Sequence, residues 1–207
     1  MIELQHVSLT LKHTTILQDI CLSFEAGQIH GLIGRNGSGK TMLMKCICGF
    51  VHPTGGTISV NQKIIGKDLD FPQNMGVIIE TPEFIPYMSG FENLKLLAGC
   101  RKKIDTAQIR HAMETLELDP DSRLHVRRYS LGMRQRLGLA QAIMEQPDLL
   151  ILDEPFNGLD EDGVHLVRQL LLDQRALGTT ILLSSHNSED INLLCNTVHR
   201  LQKGSVI

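Results

Sequence analysis

Residues 34–41 read Gly34-Arg35-Asn36-Gly37-Ser38-Gly39-Lys40-Thr41, a complete G-x-x-x-x-G-K-[ST] phosphate loop. Its glycines let the backbone take conformations closed to other residues and come close to an anion, so that successive N–H groups surround phosphate oxygens. Lys40 adds a full positive charge near the β- and γ-phosphates of a nucleotide, and Thr41 offers a hydroxyl to Mg2+. Residues 28–33 (QIHGLI) read as the strand that should precede such a loop. Met42 to Gly49 reads as the helix that should follow it, with an N-terminal dipole that favours phosphate. A glycine-rich turn of this spelling arises by chance in roughly one chain of this length in a hundred. All eight residues are therefore nucleotide-binding candidates.

Downstream, Leu149-Leu150-Ile151-Leu152-Asp153-Glu154 ends a run of four apolar residues in two adjacent carboxylates. At the carboxyl end of a central strand, Asp153 can reach the Mg2+ held by Thr41. Glu154, one residue later, can polarise an attacking water as general base. Alone, such a pair reads equally well as a solvated turn. Beside a phosphate loop it points to hydrolysis.

The segments around these motifs change character twice. The first seventy or so residues alternate apolar and polar positions (IELQHVSLTL, TILQDICLSF, GTISV), as short strands and turns require. From about Phe91 to Ile143 apolar residues recur at three- and four-residue spacing, which predicts a helical insert. Leu149 to Leu152 and Thr180 to Leu183 are short continuous apolar runs separated by a helical pattern, Gly163 to Ala176. That is the pattern of buried parallel strands joined by a crossover. The fold class is α/β.

Bulk properties exclude several other classes. A length of 207 residues fits one compact domain. A net charge of -3 gives no basic bias, so no nucleic-acid partner is expected. Every apolar run falls far short of the roughly 20 residues that cross a bilayer. The opening MIELQHVSLT lacks the basic-then-apolar pattern of a secretory leader, and a cytoplasmic location is expected. Cys21, Cys46, Cys48, Cys100 and Cys195 are scattered without C-x-x-C spacing and predict reduced core cysteines.

Phosphate loop and acidic pair occur in many nucleotide hydrolases, and a third element narrows the choice. Tyr129-Ser130-Leu131-Gly132-Met133-Arg134-Gln135-Arg136 resembles the signature segment of ATP-binding-cassette (ABC) ATPases, commonly LSGGQ followed shortly by Gln-Arg. It keeps Ser130, Gly132, Gln135 and Arg136 and departs at Tyr129, Leu131 and Met133. The adjacent Arg127 and Arg128 read as a solvated charged patch. Two smaller matches follow in the family's order. Asn157-Gly158-Leu159-Asp160 resembles the D-loop, and also reads as an Asn-Gly turn with a helix cap. His186, after ILLSS, resembles the switch histidine that contacts the γ-phosphate.

Two positions depart from the family pattern. Where a glutamine usually stands before the helical insert, this chain has Glu80 followed by Thr81-Pro82, and a carboxylate can ligate Mg2+ or hold its water as an amide oxygen does. The adenine base usually stacks on an aromatic residue between the first two strands, yet no Phe, Tyr or Trp precedes Phe24. Leu11 occupies the approximate place and His13 is the nearest ring. The spelling VIIETPEF followed by FENL resembles ATP-binding subunits of bacterial exporters that remove, or confer immunity to, peptide antibiotics such as bacitracin and lantibiotics.

The resemblance covers the whole chain, including HRLQKGSVI, which resembles the family's closing hairpin. It implies a P-loop NTPase cassette with a parallel-sheet core and an N-terminal antiparallel β subdomain, spanning about residues 1–80 and 144–207, and a helical signature subdomain at 81–143. It implies ATP and Mg2+ as ligands, Thr41, Asp153 and Glu80 at the metal, and Lys40, Glu154 and His186 as catalytic. Two cassettes, identical or different, would close head to tail, each phosphate loop facing Ser130, Leu131, Gly132 and Met133 of its partner, with Asp160 crossing the interface. A separate membrane permease would dock near Glu80 and the helical insert and hold the chain on the inner face of a bacterial membrane; Phe84, Ile85 and Tyr87 read as exposed apolar contacts for it, or equally as core or loop packing. Alternatives are a soluble ABC protein acting on ribosomes or chromosomes, which typically carries two cassettes or long coiled coils, and a regulatory subunit without turnover, against which Lys40, Asp153, Glu154 and His186 argue. A small-molecule kinase would have no use for the Tyr129–Met133 segment.

Overall fold

The computed structural model describes residues 1–207. Strands β1 (Ile2–Leu11) and β2 (Thr14–Phe24) form a long hairpin. Lys12 and His13 close it with φ of 44° and 68°, the left-handed pair that a two-residue turn needs to match strand twist. Strand β4 (Gly55–Val60) pairs with the other side of β1, and β5 (Lys63–Ile64) with β4, so the antiparallel sheet runs β2-β1-β4-β5.

The second sheet runs β10-β9-β3-β8-β7-β6. Strands β3 (Ile29–Ile33), β6 (Met75–Ile78), β7 (Leu149–Asp153), β8 (Thr180–Ser184) and β9 (Thr197–Gln202) are parallel, and β10 (Ser205–Val206) closes on β9 as the hairpin expected from HRLQKGSVI. Every residue of β7 and β8 is buried. Layers on both faces of a parallel sheet demand this, and it explains their unbroken apolar spelling.

Alternate residues of these strands feed two cores. Leu150, Leu152, Ile181 and Leu183 point into a core shared with α2 (Gly90–Arg101), α3 (Thr106–Thr115), α4 (Leu131–Ile143), α5 (Glu161–Ala176) and α6 (Ser188–Leu194). Leu149, Ile151, Leu182 and Leu32 point into the other, shared with the antiparallel sheet and α1 (Lys40–Ile47). Helix starts follow local chemistry: Ser89 with Glu92 and Asp105 with Gln108 form reciprocal capping boxes at α2 and α3.

Two expectations need correction. All five cysteines are free, but while Cys46 and Cys48 are buried and Cys195 is half-buried, Cys21 and Cys100 are exposed. Cys21 follows buried Ile20 in a strand of period two and so faces away from the core. Of the three residues read as exposed apolar contacts, Phe84 and Ile85 are half-buried, Phe84 packing on the helical core, and Tyr87 is 68% exposed. No helix is long and apolar enough to cross a membrane.

Candidate functional site

Strand β3 delivers the chain directly into residues 34–41 at the carboxyl end of the parallel sheet. Gly34 has φ 151°, and a Cβ there would collide with the Leu201 carbonyl oxygen and lie 2.6 Å from Ser38 Oγ. Gly39, φ 109°, precedes α1 and would put a Cβ 2.9 Å from Leu17 Cδ2. Both glycines are thus fixed by close packing as well as by conformation. The loop is braced from outside: Gly204 N donates to Ser38 O at 3.0 Å, and Gln18 N to Gly204 O at 2.8 Å. Lys40, 7% exposed, donates from Nζ to Gly34 O at 2.8 Å, so its ammonium already lies across the loop. Arg35, Asn36 and Gly37 line the exposed mouth.

Neighbouring strands β7 and β8 set Asp153 opposite Ser184. Ser184 Oγ donates to Asp153 Oδ1 at 2.5 Å and Thr41 Oγ1 donates to Oδ2 at 2.6 Å, so a hydroxyl engages each oxygen of a nearly buried carboxylate. Thr41 and Asp153 are hard oxygen donors in direct contact, the donor type that Mg2+ takes, and they fit it. Glu154 adopts φ 53°, an uncommon value for a residue with a side chain, and its amide donates to Ser184 Oγ at 3.1 Å. Its Oε2 meets His186 Nδ1 at 2.8 Å. Gln135 Nε2 donates to Pro155 O at 2.9 Å, tying α4 to the segment after the acidic pair. Lys40, Thr41, Asp153, Glu154 and His186 therefore form one connected group. Sequence reasoning missed Ser184 and the bond made by Gln135; the polar end of ILLSS, directly before His186, carried the signal for the first.

Glu80, φ 65°, pairs through Oε1 with Lys45 Nζ at 2.7 Å, on the α1 turn after Thr41. Leu11, 42% exposed, and His13 lie at the end of the β1–β2 hairpin. The β2 residues packed against the phosphate loop are Ile16 and Leu17.

A second group lies on the surface. Ser130 caps α4, its Oγ accepting from Met133 N at 3.1 Å. Leu131 is 51% exposed and lies against Gly158, and a Cβ on Gly132 would sit 2.9 Å from Gly158 O. Asp160 caps α5 through Gly163 N at 3.1 Å and faces Arg136, which also holds Glu117 at 2.6 Å. Tyr129, the departure from leucine, is buried beside Gly90, and burial raises its hydroxyl pKa. Ser130 to Met133, Gly158 and Asp160 together line an open cavity of about 670 Å3. Gln135, one helical turn further on, links this group to the first.

Residues 17–157 match the family described as ABC transporter. Over 204 residues the chain is 41% identical to the ABC transporter ATP-binding protein YybJ of Bacillus subtilis, covering 99% of this chain and 94% of that one. It is 37% identical to the bacitracin transport ATP-binding protein BcrA of Enterococcus faecalis, covering 100% of this chain and 68% of BcrA. The fold matches that of the dimeric ATP-binding cassette MJ0796, solved in a post-hydrolysis state with ADP and Pi, with a TM-score of 0.89 at 20% identity, covering 100% and 96% of the two chains.

Proposed function

The chain belongs to the ABC transporter family as an ATP-binding subunit, and from that premise we propose that it hydrolyses Mg-ATP through Glu154 and drives transport through a separate membrane permease. The observation that carries this reading is the hydroxyl–carboxylate–hydroxyl bridge of Thr41, Asp153 and Ser184, with Glu154 next along the chain. Thr41 and Asp153 would hold Mg2+, which would supply positive charge to offset that of the phosphates. Lys40 and the amides of the glycine-rich loop bind and orient the phosphates. Glu154 accepts a proton from the attacking water; His186 engages Oε2, orients the carboxylate and leaves Oε1 for that water. Ser184 holds Asp153 and acts as a positioning residue.

Two cassettes, identical or different, close head to tail, each offering Ser130, Leu131, Gly132 and Met133 to the nucleotide of the other while Asp160 crosses beside it. The exposure of this segment supports the arrangement. Glu80 acts at the edge of the site, through Lys45 or the metal's water shell. The permease docks near Glu80 and Tyr87 and keeps the cassette on the inner face of a bacterial membrane; no helix of this chain can provide the pathway. Likeness to a protein named for bacitracin transport supports export of antimicrobial peptides or drugs. Phosphate release from ATP tests the chemistry. It should require Mg2+, and Glu154→Gln should lower turnover by about 10²-fold or more while ATP affinity stays within severalfold. Unchanged turnover in Glu154→Gln would overturn the assignment.

A further inference from the structure

On the outer face of the β1–β2 hairpin the ladder shifts register three times, and the first two shifts, which follow one another directly, build a cluster of side chains. Between the pairs Leu4↔Leu22 and Val7↔Ile20, Gln5 and His6 stand opposite Cys21 alone. Between Val7↔Ile20 and Leu9↔Leu17, Gln18 and Asp19 stand opposite Ser8 alone. These are successive bulges on opposite strands. Each uses a non-glycine residue in left-handed conformation, His6 at φ 52° and Asp19 at φ 48°. Such a conformation costs on the order of 1 kcal/mol per residue. The amide freed at each bulge bonds across the ladder to a side chain: His6 N to Cys21 Sγ at 3.3 Å, and Asp19 N to Ser8 Oγ at 3.0 Å.

The consequence is a change of face. In an unbroken strand His6 would share the inward face of Leu4, two residues before it. The bulge turns it outward onto the face occupied by Asp19 and Cys21, and all three are exposed. Their donor atoms lie within 4.8 Å of one another, with His6 Nδ1 2.7 Å from Asp19 Oδ1 and 3.7 Å from Cys21 Sγ. Tetrahedral coordination with the usual zinc bond lengths places nitrogen and sulfur ligands about 3.6 Å apart and nitrogen and oxygen ligands about 3.3 Å apart. The nitrogen–sulfur spacing is already met. The nitrogen–oxygen spacing requires a small opening of two exposed side chains.

We propose that His6, Asp19 and Cys21 form a binding site for a divalent cation of the Zn2+ class, with water as fourth ligand, clipping β1 to β2. Imidazole, carboxylate and thiolate form a borderline-soft donor set that selects Zn2+ and Co2+ over Mg2+. Binding replaces the thiol S–H bond by a sulfur–metal bond and releases the proton to solvent.

Co2+ added to the metal-free full chain provides the probe. Tetrahedral thiolate binding should give strong visible d–d bands and a sulfur-to-cobalt charge-transfer band in the near ultraviolet, both abolished by equimolar Zn2+ and retained in excess Mg2+. Cys21→Ser should remove the charge-transfer band, while Cys100→Ser, at the other exposed thiol, should keep it. The remaining thiols are raised by burial, Cys46 to about 11 and Cys48 and Cys195 to about 12, and compete poorly. His6→Ala and Asp19→Asn should each weaken Co2+ binding at least tenfold, with circular dichroism confirming that the variants fold. An octahedral cobalt spectrum in the wild type, or a charge-transfer band that survives in Cys21→Ser, would overturn the proposal.

Discussion

The phosphate-loop group and the signature group lie in the same chain but in opposite states of completion. Lys40, Thr41, Asp153 and Ser184 are mostly buried; Thr41, Asp153 and Ser184 spend their polar atoms on one another, and Lys40 spends its ammonium on the Gly34 carbonyl within the loop. Ser130, Leu131 and Asp160 are exposed; the Ser130 hydroxyl caps its own helix, and the Asp160 carboxylate caps its own helix and meets Arg136 at 3.5 Å, within the same surface group. The first group is assembled within the chain. The second presents itself outward, as half of a site must.

The largest expected effect breaks the first half alone. Gly34→Ala puts a Cβ into Leu201 O at a positive φ, and should cost about 3 kcal/mol or more and abolish nucleotide binding; chemical denaturation and a fluorescent ATP analogue measure the two. Gly132→Ala puts a Cβ 2.9 Å from Gly158 O but needs no positive φ, so a small shift of one loop carbonyl relieves it; it should cost about 1 kcal/mol, well below Gly34→Ala, and leave nucleotide binding by the single chain intact. Equal losses at the two glycines would erase the distinction.

Acid should also weaken the phosphate-loop half selectively. His30 lies in β3, its Nε2 donating to the Glu25 carbonyl and its Nδ1 accepting from Thr197, and Phe24 packs edge-on against it and against His199 of β9. Burial lowers the pKa of both histidines below the ordinary 6.5. The unfolded chain therefore takes up protons first as pH falls. Stability from this pair is complete above about pH 6.5 and is lost below it, by up to about 1.4 kcal/mol per pH unit for each histidine. Urea midpoints between pH 7.5 and 5.5 should fall accordingly, and His30→Gln should flatten the decline; a rise on acidification would contradict it.

The smallest effect belongs to Ser130→Ala. Losing the cap of α4 should cost about 1 kcal/mol in thermal unfolding and leave ATP binding by the single chain intact, while turnover drops. Unaltered turnover would deny the signature group its role.

Much of this division is legible in the residues themselves. The phosphate loop, the acids after Leu149–Leu152 and the helical spacing of residues 131–143 are local patterns, and each stands where strand or helix periodicity places it. Ser184 on Asp153, Gln135 on Pro155 and the Gly204 turn against β2 join residues distant in sequence and leave no periodic trace. The paired bulges are equally silent, because left-handed His6 and Asp19 carry none of the glycine spelling that marks such positions. The expectation of a buried thiol failed at Cys21 because the strand alternation that buries Ile20 and Phe24 turns Cys21 to the opposite face.

The mass of the Glu154→Gln protein by light scattering, with and without saturating Mg-ATP, tests the central claim most directly. If the signature group completes the site of a second copy, blocked hydrolysis should hold two chains together and double the mass only when ATP is present. A protein that stays at single-chain mass in saturating Mg-ATP would contradict the account.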